Sequence, residues 1–453
     1  MRLFLVSRIS LALRAVALFV LPVVLATSGA HAADLLTLYR EAATQDPAVT
    51  SAQASLLAAR ERVTQAEAAN GFAVGINASA NANYFDAHAR GFPNAQTDRA
   101  YLAASVSAYV NKPLIRPANL VIIEQANASV KLFEVSLAAA QMDVATRLSQ
   151  AYFDVLLAQD NLTLVRAQKA AVDEQLAQAK RNFEVGTATI VDTNEAQSRY
   201  DQVIAQEIAA VNELERTRFA LRNVVGRYEA NLKLLRTNAQ VPPPNPANME
   251  AWVTRAEAEA FGVRVAQQTL SVSEFDVRRA QTGKDWTLDA TATVANSQAT
   301  GGASSGTGSW TNAAVIGVTF NWPFDLSGGV SARIRETLAL VDKNRNDLEA
   351  ARRVAGLNVR QSYLGATSGV ASVAAQQQAL KSAETLLAST RLGLEVGVRT
   401  NLDVLNAQQQ VTQVQRDLAL SRYNTLLNGL RLKAATGVLT EDDLRATNAF
   451  LSD

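Results

Sequence analysis

The sequence of 453 residues contains no cysteine and only two histidines, His31 and His88. Without cysteine the chain can form no disulfide, no thiolate metal site, no cysteine nucleophile and no lipid-modified amino-terminal cysteine. His88 lies in a polar stretch with no Gly-x-Ser-x-Gly nucleophile motif and no phosphate-binding loop near it. The composition therefore predicts a protein that is not an enzyme and has no metal site and no cofactor.

Charge imbalance and long apolar runs are also lacking. The 43 basic and 42 acidic residues leave a formal net charge of +1, which gives no reason to expect nucleic acid as a partner. After residue 32 no apolar run approaches the roughly 20 residues that a membrane-spanning helix needs. If the chain crosses a bilayer, we therefore expect a β-barrel, because only helices and closed barrels satisfy every backbone hydrogen bond in lipid.

Residues 1–32 have the pattern of a secretory signal peptide. Basic residues come first, residues 15–25 form an apolar run, and Ala30-His31-Ala32 fits the small-x-small rule for cleavage. A transmembrane anchor is the alternative interpretation, although the apolar run is short and contains Pro22. We expect the rest of the chain to be exported.

The sequence is a tandem duplication with an offset of 211 residues. This offset carries Glu184-Val185-Gly186 onto Glu395-Val396-Gly397, and Asp192 onto Asp403. Each copy therefore places one glycine-containing turn between two long helical patterns. The predicted division, in chain order, is a first repeat at 33–236, a proline-rich linker at 237–250 and a second repeat at 251–453.

Each repeat contains two segments in which apolar and polar side chains alternate, as in strands with one face of each kind. A soluble hairpin with one wet face would show the same alternation and stays open as an alternative. The predicted strands are at about 72–84, 101–111, 286–296 and 313–322. Aromatic residues at the strand ends fit the girdles of a membrane barrel, or are ordinary hairpin aromatics. They are Phe72, Tyr84, Tyr101, Trp286, Phe320 and Trp322.

Four long stretches have helical patterns. Residues 118–182 contain neither proline nor glycine, and an unbroken helix of this length would extend roughly 100 Å. Gly356, Gly365 and Gly369 interrupt the third pattern and predict a bend in that helix. Helices this long cannot fold into one compact globule and are typical of an elongated tube. They are predicted at about 118–182, 192–225, 330–391 and 403–436.

The strands cannot close a barrel within one chain. Free strand edges are not satisfied by lipid, and barrels generally need about eight strands or more. One chain supplies four predicted strands, so several chains must combine them. Two copies would give eight and three would give twelve, and a polar interior favours twelve because about eight strands leave little open lumen.

The sequence resembles the TolC-like outer-membrane efflux proteins of Gram-negative bacteria over essentially the whole mature chain. The resemblance rests on the duplication, on the paired strands and on two motifs. The motifs are Val396-Gly397-Val398-Arg399-Thr400-Asn401-Leu402-Asp403-Val404-Leu405 and Gly437-Val438-Leu439-Thr440-Glu441-Asp442-Asp443-Leu444.

The resemblance implies an α+β membrane protein that is a homotrimer. Its strands would form a twelve-stranded barrel among outer-membrane lipid, and its helices a twelve-helix tunnel across the periplasm. Such proteins are channels of type I secretion and tripartite efflux systems, and they export proteins or small molecules. Their partners are a periplasmic adaptor protein and an inner-membrane transporter of the ABC or proton-driven type.

The resemblance also implies roles for residues at the turns, and each has a simpler alternative. The glycines end helices with positive φ. The aspartates cap helices, and Asp192 with Glu195 three residues on resembles a capping box. Arg399 is either a latch to Asp192 or a solvated turn residue. The implied positions are Asp403, Arg399 and Asp192 for the periplasmic gate or selectivity site, and Val185, Gly186, Val396 and Gly397 for docking of the adaptor.

Two positions depart from the family pattern. The best-known members carry a second acidic residue three positions after the one that matches Asp403, where this chain has Asn406, and a tyrosine where this chain has Leu394. The assembled channel would then have one acidic ring instead of two, and the network of side chains at its gate would lack one partner. The alternative function is a periplasmic coiled-coil adaptor or scaffold without a membrane pore. That function explains the long helices but not two matched pairs of amphipathic strands.

Overall fold

The computed structural model describes residues 32–88, 96–229, 231–236, 242–302 and 307–451. Residues 1–31 of the predicted signal peptide and residues 237–241 of the predicted linker lie outside the described residues. The helices are α1 Leu35–Gln45, α2 Pro47–Ala68, α3 Pro117–Glu184, α4 Ile190–Val225, α5 Met249–Glu259, α6 Phe261–Gln281, α7 Gly329–Glu395, α8 Asn401–Ala435 and α9 Glu441–Asn448. The strands are β1 Ala73–His88, β2 Gln96–Ile115, β3 Thr287–Ala299 and β4 Ser309–Asn321.

The four strands form a single antiparallel sheet in the order β1-β2-β3-β4. Each repeat supplies one hairpin, and the repeats join where β2 pairs with β3, with Ala108 opposite Val294. β1 and β4 are the edges of this sheet and have no further strand beside them among the described residues. The two hairpins therefore make one continuous surface with two open edges.

The register keeps apolar and polar side chains on opposite faces across most of the sheet. Ala108 lies opposite Ile76 on one side and Val294 on the other, and this even-numbered face is apolar. The odd-numbered face carries hydroxyl groups, and the side-chain oxygens of Ser79 and Ser105 are 2.9 Å apart. Because directly paired residues project to the same side of a sheet, the alternation within each strand becomes two distinct surfaces.

Two helical hairpins extend from this sheet. α3 and α7 have 68 and 67 residues, so each is about 100 Å long at 1.5 Å per residue. α4 and α8 return along them. Among the described helices, none combines the length and the apolar composition needed to span a bilayer.

The glycines of α7 do not interrupt the helix. α7 is one continuous helix through Gly356, Gly365 and Gly369, so the predicted interruption is wrong. A Cβ atom on Gly365 would lie 2.7 Å from Nδ2 of Asn428 on α8. The absence of a side chain therefore lets α8 approach α7 closely, and the helical hydrogen bonds of α7 are kept.

The main core lies along the helices and combines both repeats. Tyr152 and Phe153 of α3 are buried together with Leu35 and Leu38 of α1. The Phe153 ring lies 5.9 Å from the ring of Tyr423 on α8. Burial of each large side chain contributes about 1.5–3 kcal/mol, so the contact between α3 and α8 stabilises the repeats as one unit.

Candidate functional site

The turn between α3 and α4 has a defined hydrogen-bond pattern. Gly186 has a φ of 77°, in the left-handed region that favours glycine. Its N–H donates to the carbonyl of Phe183 at 3.0 Å, and the N–H of Thr187 donates to the carbonyl of Asn182 at 2.8 Å. These are the two bonds of a Schellman motif, which satisfies the last carbonyls of α3.

The same turn then starts α4 with a capping box. The N–H of Thr189 donates to Oδ2 of Asp192 at 2.8 Å, and the N–H of Asp192 donates to Oγ1 of Thr189 at 3.3 Å. The second turn repeats the pattern, with φ of 80° at Gly397. There the N–H of Thr400 donates to Asp403 at 2.9 Å, and the reverse bond is 3.2 Å.

The start of each returning helix corrects our interpretation of the aspartates. We expected helices from about 192 and about 403, and capping of these helices by the aspartates was the simpler alternative to their gate role. α4 begins at Ile190 and α8 at Asn401, so Thr189 and Thr400 are the capping residues. The aspartates occupy the third helical position and are the acidic partners in the capping boxes. In the first turn this partner is Asp192 and not, as the spacing suggested, Glu195.

Capping lowers the pKa of both carboxyl groups. The backbone N–H of Thr189, followed by its hydroxyl, holds the pKa of Asp192 below its ordinary value. The backbone N–H and hydroxyl of Thr400 do the same for the pKa of Asp403, and the nearby charge of Arg399 adds to the effect. Within one chain, both turns therefore carry an ionised carboxylate at neutral pH.

Arg399 does not pair with Asp192 within this chain. The Asp192 carboxylate accepts hydrogen bonds from Thr189, and no ion pair among the described residues joins it to Arg399. The side chain of Arg399 instead lies over Gly393, where a Cβ atom would be 2.7 Å from its Cγ. The latch stays a prediction about neighbouring copies.

The valines at the predicted docking positions are exposed large apolar side chains. Val185 is 73% exposed and Val396 is 65% exposed. Each precedes a glycine whose backbone conformation is fixed by the bonds described above. Apolar side chains are thus presented to solvent on rigid turns, at the ends of helices that begin beside the sheet.

Sequence reasoning missed two side-chain links close to these turns. Nη2 of Arg199 on α4 donates to Oδ1 of Asn406 on α8 at 3.0 Å. Nη2 of Arg391 on α7 donates to Oε1 of Gln408 on α8, also at 3.0 Å. The first link joins the two repeats and the second lies within one repeat. Neither has a local sequence signal, because each depends on the distance between two helices.

Most of the predicted interface aromatics lie at the ends of the apolar face. Nζ of Lys112 is 5.0 Å from the centre of the Phe72 ring, and the rings of Trp286 and Phe320 are 5.6 Å apart. Tyr101 is the exception, because it pairs with Asn83 and therefore lies on the polar face. The remaining predicted aromatics at the sheet ends are Tyr84 and Trp322, both exposed.

Two further exposed aromatics belong to this set and were missed. Trp310 pairs with Gln298 on the even-numbered face, at the opposite end of β4 from Phe320. Its even number within an alternating segment was the available signal. The ring of Phe324 lies 5.2 Å from that of Trp322, beyond the last residue of β4.

Across the described part of the chain, no group of three or more His, Cys, Asp or Glu side chains could hold a metal ion.

Comparisons with known proteins match this architecture. The outer membrane efflux protein family matches residues 38–227 and 252–438, one range in each repeat. The chain is 30% identical to the outer membrane protein TolC of Vibrio cholerae, over 94% of this chain and 95% of that protein. It is 31% identical to the alkaline protease secretion protein AprF of Pseudomonas aeruginosa, over 68% of this chain and 64% of that protein.

A solved structure shows the same fold. The crystal structure of the outer membrane protein VceC from Vibrio cholerae matches with a TM-score of 0.73, covering 89% of this chain and 96% of that chain. The sequence identity is 18%, so this likeness concerns the fold alone. Because both repeats are matched, the chain belongs to the outer membrane efflux protein family, whose members are outer-membrane channels and not enzymes.

Proposed function

We propose that this chain is the subunit of a homotrimeric channel-tunnel that exports proteins or small molecules across the outer membrane. It would act with a periplasmic adaptor protein and an inner-membrane transporter, of the ABC or proton-driven type. The observation that carries the proposal is the sheet, which has one apolar face, one polar face and two open edges. The proposal includes removal of residues 1–32 as a signal peptide and a duplicated mature chain.

The open edges require other copies of the chain. β1 has 16 residues and β4 has 13, and unpaired strand edges of this length cannot remain in lipid. Three copies would close a barrel of twelve strands with the apolar face outward. The opposite face, rich in hydroxyl and amide groups, would then line a lumen wide enough for water.

The spacing of the aromatics on β4 fits a bilayer. Trp310 and Phe320 are ten positions apart on the apolar face. Ten strand residues extend about 34 Å, and a tilt of about 45° reduces this to about 24 Å along the membrane normal. The apolar band of outer-membrane barrels is about 25 Å tall and is bounded by aromatic residues at both interfaces.

The helices would place the turns far from the membrane. α3 and α7 begin beside the sheet and end about 100 Å away along their axes. The exposed valines and fixed glycines of the turns would then contact the adaptor, through Val185, Gly186, Val396 and Gly397. Asp403, Arg399 and Asp192 would form the gate at the same end, where copies of the chain converge.

The names of two relatives bear on the cargo. TolC is named as an outer membrane protein, and AprF is named for the secretion of an alkaline protease. Export of a whole protein is thus one cargo class for this chain, with small molecules as the other. A coiled-coil scaffold without a pore would leave the open sheet edges without partners.

The mass of the protein extracted from outer membranes in detergent tests the assembly. We expect three chains per particle by native mass spectrometry, together with discrete conductance after reconstitution into a planar bilayer. A stable single chain in the membrane, or a trimer that conducts no ions under any condition, would contradict the proposal. Co-purification with an inner-membrane transporter identifies the partners and, with them, the cargo class.

A further inference from the structure

The segment that follows β4 exposes three large apolar side chains. Trp322 and Phe324 are both more than half exposed, and Leu326 is 96% exposed. These residues lie between the last residue of β4 and the first of α7. Exposed apolar groups clustered in this way mark a contact with another molecule or with a membrane.

This segment is held in place by one carboxylate. Oδ1 of Asp325 accepts a hydrogen bond from the N–H of Val330 at 3.1 Å, and Oδ2 accepts from the N–H and the hydroxyl of Ser331 at 2.8 and 2.7 Å. The N–H of Leu326 also donates to the carbonyl of Phe324 at 2.9 Å. The apolar side chains therefore project from a turn that is fixed to the first turn of α7. Because this turn is already ordered, binding would cost little conformational entropy.

The segment continues the apolar face of the sheet. The Trp286 and Phe320 rings are 5.6 Å apart at the end of the face, and the Trp322 and Phe324 rings are 5.2 Å apart just beyond it. Tryptophan and other large aromatics favour the boundary between acyl chains and headgroups. The one charged group of the segment, Asp325, already has its oxygens bonded to α7.

We propose that Trp322, Phe324 and Leu326 form a wedge that inserts into the phospholipid leaflet on the helical side of the sheet. The wedge would extend the lipid contact of each subunit past the end of β4, into the region of the glycerol and the first acyl carbons. This inference rests on the proposed barrel, which determines that the even-numbered face meets lipid.

Site-directed spin labelling tests the wedge without background, because the natural chain has no cysteine. The variants are Leu326→Cys, Ile316→Cys on the middle of the apolar face, and Val398→Cys at the second turn. Each is labelled, reconstituted into vesicles of phosphatidylethanolamine and phosphatidylglycerol, and probed by collision with oxygen and with a water-soluble nickel chelate.

We expect the label at 326 to collide with oxygen and to be protected from nickel, like the label at 316 and unlike the label at 398. Nickel accessibility at 326 equal to that at 398 would place the segment in water and overturn the wedge. An immobile label shielded from both reagents would place it against a neighbouring copy and overturn it as well. Nickel accessibility at 316 would instead contradict the proposed barrel itself.

We call the hydrogen bonds from Val330 and Ser331 to the Asp325 carboxylate the Asp325 clamp. A second variant tests whether this clamp holds the wedge in place. Asp325→Ala in the Leu326→Cys background removes the bonds to Val330 and Ser331, so we expect a more mobile label and loss of nickel protection. Asp285→Ala removes a carboxylate outside the clamp, next in sequence to Lys284, whose Nζ lies 3.1 Å from Oγ of Ser331, and is the matched control. Trimer yield is measured for both. Unchanged mobility and protection in a correctly assembled Asp325→Ala protein would show that the clamp does not hold the wedge.

Discussion

Arg199 on α4 and Asn406 on α8 are joined by a hydrogen bond of 3.0 Å that links the two repeats close to their turns. The duplication does not reproduce this bond. With the offset of 211 residues, the equivalent bond would join residue 410 on α8 to residue 195 on α4. These residues are Gln410 and Glu195, so the arginine is missing. The link therefore occurs once per chain. The amide oxygen of Asn406 accepts the hydrogen bond from Arg199. Asn406 adds no negative charge, whereas an acidic residue at this position would add a second acidic ring.

Removal of this link is expected to loosen the tunnel end. Arg199→Ala deletes the only described side-chain hydrogen bond that joins α4 to α8, so we expect a higher resting conductance of single channels. Arg391→Ala is the matched control, because it removes a bond of equal length within the second repeat. Equal conductance of wild type and Arg199→Ala would show that the link does not restrain the gate.

Asn406→Asp is expected to act in the opposite direction. A carboxylate would pair with the Arg199 guanidinium, and hydrogen bonds between charged partners are roughly twice as strong as neutral ones. We predict longer closed intervals in single-channel records at low salt and a smaller difference at high salt, since an exposed pair is screened. A closed-state lifetime that does not depend on salt would argue against the pair.

Charge on the sheet should separate the two faces. Ile316 is 89% exposed on the apolar face, and Ile316→Arg is expected to cost about 2–4 kcal/mol if it lies near the membrane midplane. Gly317→Arg is the neighbouring control on the polar face, where a Cβ atom would lie 3.9 Å from Thr291 Oγ1. Val106→Arg and Ser105→Arg form a second pair. The measurement is the yield of trimer in outer membranes, and equal yields within each pair would contradict the assignment of the faces.

Arg399 tests the latch between copies. Within one chain its charge lies near Asp403, and it makes no ion pair with Asp192 among the described residues. If it reaches Asp192 of a neighbouring copy, Arg399→Ser should raise the resting conductance, and Arg399→Lys should restore part of the closed-state lifetime. A conductance unchanged by the serine would make Arg399 a solvated turn residue.

Asp403 is expected to form an acidic ring. Three copies would bring three carboxylates to one level of the tunnel, which concentrates cations. A trivalent cation on the tunnel side should block the current, and Asp403→Ala should abolish the block. Thr400→Val keeps the carboxylate but removes half of the capping box, so it separates charge from helix capping. Block that survives Asp403→Ala would place the selectivity site elsewhere.

The pH dependence of this block follows from opposing effects on the pKa of Asp403. Bonds from Thr400 lower this pKa, so the carboxylate, and with it the block, is present above the lowered pKa and lost as pH falls through it. Repulsion within the ring acts in the opposite direction. Thr400→Val removes the hydroxyl bond, so its block should disappear at a higher pH than in wild type. A lower pH of loss would contradict the assigned cause.

Tyr423 is expected to stabilise the contact between the repeats. Its hydroxyl donates to Oδ2 of Asp160 at 2.6 Å, and burial raises the pKa of Asp160 while this bond lowers it. Tyr423→Phe leaves a partly buried carboxylate short of a donor, which costs about 1–3 kcal/mol. Tyr200→Phe is the control, because no hydrogen bond of the Tyr200 hydroxyl is found among the described residues.

Asp160 is expected to make the stability of the fold depend on pH. A carboxyl whose folded pKa is raised binds more protons in the folded state, so stability falls as pH rises through the interval between the unfolded and folded pKa values. Tyr423→Phe raises the folded pKa further. The loss in melting temperature should therefore be larger at neutral pH than at acidic pH, and a loss independent of pH would contradict this account.

Periodicity was sufficient to predict the sheet and the long helices. Alternation around Ile316 and Val106 gave the correct faces because a strand has only two sides, and residues 118–182 contain nothing that would end a helix. The alternative in which Asp192 is the N-cap residue is wrong, because Thr189 caps α4. Asp192 fits two overlapping capping patterns, and only the hydrogen bonds of Thr189 decide between them. The bond between Arg199 and Asn406 could not be predicted, since it depends on the packing of two distant helices.

The two turns share one backbone, yet they present different chemistry. Gly, Thr and Asp hold each turn, so the residue before the threonine can vary, and it is Ala188 in one turn and Arg399 in the other. In the proposed trimer, the tunnel end would have six similar turns but only threefold symmetry, with neutral and basic positions in alternation. A partner with six identical contact sites would meet two different environments at these turns, three of each kind. Copies of a single partner could therefore occupy non-equivalent positions around one channel.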